Sequence, residues 1–130
     1  MPLIRWLTEE EVIEINRLVL REIRVSRADQ PRLLSKNTLR EALAKARDAD
    51  EEVFEAASSL LIGLIRLHPF ASGNRRTAYV AVRMFLEING NQLATSQDPK
   101  VLLGIREGFY TADEVKQWLK GYGIKKFERG

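Results

Sequence analysis

The stretch Ala56-Ala57-Ser58-Ser59-Leu60-Leu61-Ile62-Gly63-Leu64-Ile65-Arg66-Leu67 runs directly into His68-Pro69-Phe70-Ala71-Ser72-Gly73-Asn74-Arg75-Arg76. From Ser58 to Leu67 it is apolar on nearly all sides of a helix, which predicts a central position in a bundle. His68-Pro69 ends that helix, because proline disfavours helical geometry in the residue before it. Ala71-Ser72-Gly73-Asn74 reads as a turn. Arg75–Ile88 is then a second, largely buried helix carrying Ala78, Val80, Ala81, Val82, Phe85 and Leu86, stopped by Asn89-Gly90-Asn91, where glycine or asparagine takes the left-handed conformation.

Outward from this pair the signals remain helical. Thr8-Glu9-Glu10-Glu11 is a capping box opening a helix to about Arg24, with Ile15, Leu18 and Val19 as its apolar stripe. Asn37 or Ser35 caps the next helix, which has Leu39, Ala42, Leu43 and Ala46 on one face; Asp48-Ala49-Asp50 interrupts it, and the central helix follows from Glu51. Asp98–Arg106 makes a fifth helix. Thr111-Ala112-Asp113-Glu114, a second capping box, opens a last helix through Trp118 and Leu119 to Gly121. Trp6 and Trp118 read as core residues. Ile124–Gly130, with Lys125 and Lys126, reads as a loose, solvated tail. Val25–Ser35, with Ser26, Asp29, Gln30 and Pro31, reads as a loop or as a short β-hairpin near Arg27–Leu34. The expectation is a single all-α domain over residues 1–130, a bundle of about six helices.

Composition narrows the function classes. The chain has 130 residues, 45% of them apolar, enough for one core. It has no cysteine, which excludes disulfides, thiolate zinc sites and a cysteine nucleophile. No signal peptide and no apolar run of about 20 residues is visible, so a cytoplasmic protein with no membrane partner is expected. The net charge of +3 is modest, but its distribution is informative. No Asp or Glu occurs from Ala56 to Leu86, where average usage would place about four. The same window holds Arg66, Arg75, Arg76, Arg83 and the only histidine, His68. Nothing resembles a recognition helix or an aromatic-basic interleave, so no specific nucleic acid is expected.

A lone histidine at a helix end, or an arginine pair, is most simply structural or solvated. Their combination argues otherwise. The first amides of the helix after Gly73 have no intrahelical partners, and the helix dipole disfavours cations such as Arg75 and Arg76 there. A bound anion reverses that penalty, and phosphate suits both backbone amides and planar guanidiniums. Gly73 allows close approach of a ligand to the backbone. His68, beside the anion, is placed to take a proton from an incoming hydroxyl.

The order His68-Pro69-Phe70-Ala71-Ser72-Gly73-Asn74-Arg75-Arg76 resembles the signature of the Fic/Doc family: His, usually Pro, Phe, any residue, Asp/Glu/Asn, Gly or Ala, Asn, then Gly or Lys, then Arg. Eight of those nine positions are met if Arg75 is counted as an equivalent of lysine. Arg75 in place of glycine, Tyr79, the chain length and the Phe109–Leu119 pattern place the resemblance nearer the Doc (death-on-curing) branch. The resemblance implies His68 as general base, Phe70 as the anchor of the loop, Gly73 and Asn74 on phosphate oxygens, Arg76 on distal phosphates and Arg75 assisting. It implies ATP or another nucleotide as cofactor, with transfer of AMP or phosphate to a hydroxyl of a target protein. It also implies an elongation factor Tu-like target, an antitoxin as partner, and a flap within Arg27–Asn37 that aligns the target. Ser72 stands where the family usually has the acid that helps hold magnesium. A hydroxyl is a poorer ligand for that hard cation, so weak magnesium binding is expected. The other expectation is a catalytically impaired relative that binds a nucleotide or a protein partner in a regulatory role.

Overall fold

The computed structural model describes residues 3–23, 31–49 and 52–128. They form six helices: α1 (Glu9–Ile23), α2 (Lys36–Arg47), α3 (Val53–Leu67), α4 (Asn74–Ile88), α5 (Pro99–Arg106) and α6 (Ala112–Leu119). No strand occurs among the described residues, so the fold is all-α as the sequence predicts. None of these helices is long and apolar enough to cross a membrane.

Most helix starts are set by side chains that the sequence supplies locally. Thr8 and Glu11 form a reciprocal capping box before α1, at 3.1 and 2.9 Å, and Thr111 and Glu114 form another before α6. Of the two candidates for α2, Ser35 is the cap: it is extended and its hydroxyl accepts from Thr38 N at 3.1 Å, while Asn37 lies inside the helix. Glu52 and Asp98 cap α3 and α5 with their carboxylates, where negative charge suits the dipole.

The apolar α3 is the hub, packing against α2, α4, α5 and α6, while α1 lies mainly on α4. Helices α2 and α3 approach closely because Gly63 has no side chain: a Cβ there would lie 3.3 Å from the Cβ of Ala42. Helix α1 differs from its expected stripe. It buries Val12, Ile15, Asn16, Val19 and Leu20, whereas Leu18 is 46% exposed. At 100° per residue the buried five share one arc and Leu18 falls outside it. The helix end at Arg24 and most of the expected hairpin or flap, residues 24–30, lie outside the described residues. Beyond that segment, a single antiparallel bridge joins Leu33 to Phe70, with no strand.

The C-terminal segment is not the loose tail that its charge suggested. The Phe127 ring meets Phe109 edge-on at 5.2 Å, Tyr110 donates to Lys125 O at 2.9 Å, and Lys125 Nζ sits 4.6 Å from the Phe109 ring centre and 3.4 Å from a Glu114 carboxylate oxygen. Gly104 makes room for this cluster, since a Cβ there would collide with Tyr110 and lie 3.2 Å from Phe127. Trp118 is buried in the core as expected, whereas Trp6 is only half-buried and packs against the core's edge, stacked on Phe85 at 5.5 Å.

The Gly63–Ala42 contact leads to a stability test. Gly63→Leu forces α2 off α3, and urea unfolding is expected to show a loss of about 1–3 kcal/mol. An unchanged unfolding midpoint would mean that α2 shifts at no cost.

Candidate functional site

Two buried helices, α3 and α4, are joined by residues 68–73, and the local sequence dictates the path. His68 closes α3 in the left-handed region at φ 54, the only non-glycine residue with positive φ among those described. Pro69 bars a continued helix and Phe70 turns into the core, 1% exposed. The loop is then bound on two sides. On one side Leu34 N donates to Pro69 O at 2.8 Å and Ala71 N donates to Arg32 O at 2.9 Å. On the other, Asn74 closes back on the loop: its Oδ1 accepts from Phe70 N at 3.0 Å and its Nδ2 donates to Phe70 O at 2.8 Å. The Asn74 side chain, expected on a phosphate oxygen, is therefore buried and committed to shaping the loop. Only its backbone amide remains at the helix start.

Gly73 follows at φ 74 and begins α4. The first amide to bond back into the helix is that of Thr77, to Gly73 O at 2.8 Å. The amides of residues 73–76 thus precede the hydrogen-bonded ladder. They border a cavity of about 680 Å3 that also takes in His68, Ser72 and the exposed Arg75 and Arg76. Its lining includes two residues that sequence reasoning missed, Gln97 and Arg106. Both come from beyond α4, and no local pattern marks them. A second missed contribution is Asn16 on α1, whose Nδ2 donates to Ser72 O at 2.9 Å and to Thr77 Oγ1 at 3.1 Å. An asparagine within an apolar helical stripe was the sequence signal for it.

No carboxylate lines the cavity among the described residues, while three guanidiniums and a histidine do. A second hollow, about 890 Å3 between α2, α3 and α6, contrasts with it: Lys45, Arg66 and Lys116 are balanced there by Asp48, Glu55 and Asp113. Only the first cavity has the uncompensated positive charge that an anion requires. The same charge bears on magnesium. A hard cation wants several oxygen ligands, preferably anionic, and none of the described cavity residues supplies a carboxylate. The residues present do not fit a magnesium ion held by the protein itself.

The imidazole of His68 is held below its ordinary pKa of 6.5, first by burial and then by the positive charge of Arg106 and Arg75. It therefore stays neutral, and able to accept a proton, to lower pH than a free histidine. As the only histidine, it can be titrated by NMR without ambiguity. The midpoint is expected below 6.5, rising in Arg106→Gln and on addition of inorganic pyrophosphate, whose charge offsets the guanidiniums. A midpoint at the ordinary value, unmoved by either change, would show that the arginines do not face the ring.

Comparison with known proteins bears on the same elements. The family model described as "Fic/DOC family" matches residues 6–86, a stretch that contains α1 to α3, the whole loop and α4 as far as Leu86. A 51-residue segment is 45% identical to Toxin Doc of Mycolicibacterium smegmatis; the segment is 39% of this chain and 39% of that relative's length. With the model covering more than half of the chain and the loop carrying the His68–Arg76 signature, the chain belongs to the Fic/Doc family.

Proposed function

We propose that this protein transfers AMP or a phosphate group from a nucleotide to a hydroxyl of a target protein, with His68 as general base. The observation that carries this reading is that one cavity contains both the only histidine and the free first-turn amides of α4, with Arg75 and Arg76 beside them. The hydroxyl of the target gives its proton to the His68 imidazole while its oxygen attacks phosphorus. The bond from phosphorus to the bridging oxygen breaks, and its electron pair leaves with pyrophosphate in AMP transfer or with a nucleoside diphosphate in phosphate transfer. Amides of residues 73–76 and the guanidiniums hold the phosphate oxygens and take up the charge that develops on them. The depressed proton affinity of His68 keeps the base in its neutral form at neutral pH.

The similarity to a protein named Toxin Doc supports a toxin; restraint by an antitoxin partner, action in the cytoplasm and an elongation factor Tu-like target are what the family resemblance of the loop implies. A second reading, a regulatory relative that binds nucleotide or a partner without transfer, is favoured by one observation: Ser72 stands at the motif's acid position, and no described cavity residue supplies a carboxylate in its place.

Incubating the purified chain with a cell lysate separates the readings. ATP labelled at the α-phosphorus marks the target only if AMP is moved, and ATP labelled at the γ-phosphorus marks it only if phosphate is moved. His68→Ala is expected to lower labelling by about 10²–10⁴-fold. No labelling by either nucleotide, with ATP still bound, would select the regulatory reading.

Ser72→Asp is expected to strengthen magnesium-ATP binding in calorimetry, because a carboxylate offers the cation a charged oxygen. Equal affinity in the two chains, together with strictly magnesium-dependent transfer by the natural one, would mean that an acid elsewhere holds the metal.

A further inference from the structure

Helix α4 differs from its neighbours at its first turn. Its N-cap residue, Gly73, has no side chain to cap it, whereas the starts of α2, α3, α5 and α6 are capped by side chains within three residues. A turn left uncapped by its own neighbours needs another constraint to hold its shape. That constraint comes from 56 residues earlier in the chain. Asn16 is 1% exposed, within the apolar arc of α1. Its Nδ2 donates to Ser72 O at 2.9 Å, just before the turn, and to Thr77 Oγ1 at 3.1 Å, just after it. One amide group thus grips the chain on both sides of residues 73–76. Gly73 lies close against the same support: a Cβ there would be 3.0 Å from Leu20 Cδ2 and 3.5 Å from Asn16 Nδ2.

We propose that Asn16 is a positioning residue for the phosphate-binding turn, holding the amides of residues 73–76 in the arrangement that receives the anion. The inference rests on the phosphate-binding reading of that turn. Asn16 makes no contact with the anion; it acts through Ser72 and Thr77. Both donor hydrogens of its amide are used, so a residue that merely fills the space does not replace it. An isosteric carboxylate does not either, because it accepts where a donor is required.

The test uses the full chain and two kinds of measurement. Inorganic pyrophosphate is titrated calorimetrically at a temperature well below unfolding, and nitrogen-15 relaxation of the amides of residues 73–76 is recorded without ligand. Asn16→Ala and Asn16→Asp are expected to weaken pyrophosphate binding roughly tenfold and to increase fast motion of those amides, with α3 unaffected. Thr77→Val, which removes one acceptor while keeping the shape, shows a smaller change of the same kind, and Thr77→Ser restores binding. Should the Asn16 variants fail to fold, the Thr77 pair decides. Arg17→Ala, on the exposed side of α1, behaves as the natural chain. Natural affinity and natural loop relaxation in Asn16→Ala, with only a lowered unfolding temperature, would overturn the proposal and leave Asn16 a scaffold residue. A natural chain that binds no pyrophosphate would instead overturn the phosphate reading, and the relaxation data would still decide whether Asn16 holds the turn.

Discussion

The connection between α3 and α4 must reverse the chain within residues 68–73 while both flanking helices stay buried, and most of the site follows from how this is done. Left-handed residues stand at both ends of the connection, His68 at φ 54 and Gly73 at φ 74. Glycine adopts this geometry freely, but a histidine does so at a cost on the order of 1 kcal/mol or more. The surroundings offset it. Phe70 is anchored in the core, Asn74 clamps both polar groups of the Phe70 backbone, and the Arg32–Leu34 segment bonds the other edge. The strained residue is also the one whose side chain reaches the cavity.

Charge completes what the backbone begins. Three arginines around one cavity repel each other, and the α4 dipole adds partial positive charge at the same place. Such a concentration costs stability in the empty protein and is relieved by a bound anion. Burial first, and then that field, holds the proton affinity of His68 below its ordinary value. A polyanion that cancels the field also raises the basicity of the histidine, so occupancy and proton acceptance are coupled through simple electrostatics.

Much of this could be read from the order of residues. The six helices, both capping boxes, the central place of α3 and the turn at residues 71–74 follow from periodicity and capping chemistry, which act over three or four residues. The grouping of His68, Gly73, Arg75 and Arg76 was legible for the same reason, since all lie within nine consecutive positions. Errors arose where one-dimensional pattern met three-dimensional packing. Leu18 fits an apolar stripe but falls outside the arc that α4 covers. Lys125 and Lys126 are exposed as the charge suggests, but the segment is not loose, because the adjoining Phe127 finds the surface that Gly104 leaves open.

The sequence by itself determined the helical class, the positions of the turns and the loop that concentrates positive charge, because each depends on neighbours close along the chain. Only the tertiary structure decided that the Asn74 side chain bonds to the Phe70 backbone, that Arg106 from α5 shares a cavity with His68, and that Asn16 from α1 bridges Ser72 and Thr77. These pairings join residues 38 to 61 positions apart in two of the three cases. Nothing in the local chemistry of an asparagine or an arginine names its partner at that distance. The packing of α1 against α4, and of α5 against α3, brings them together.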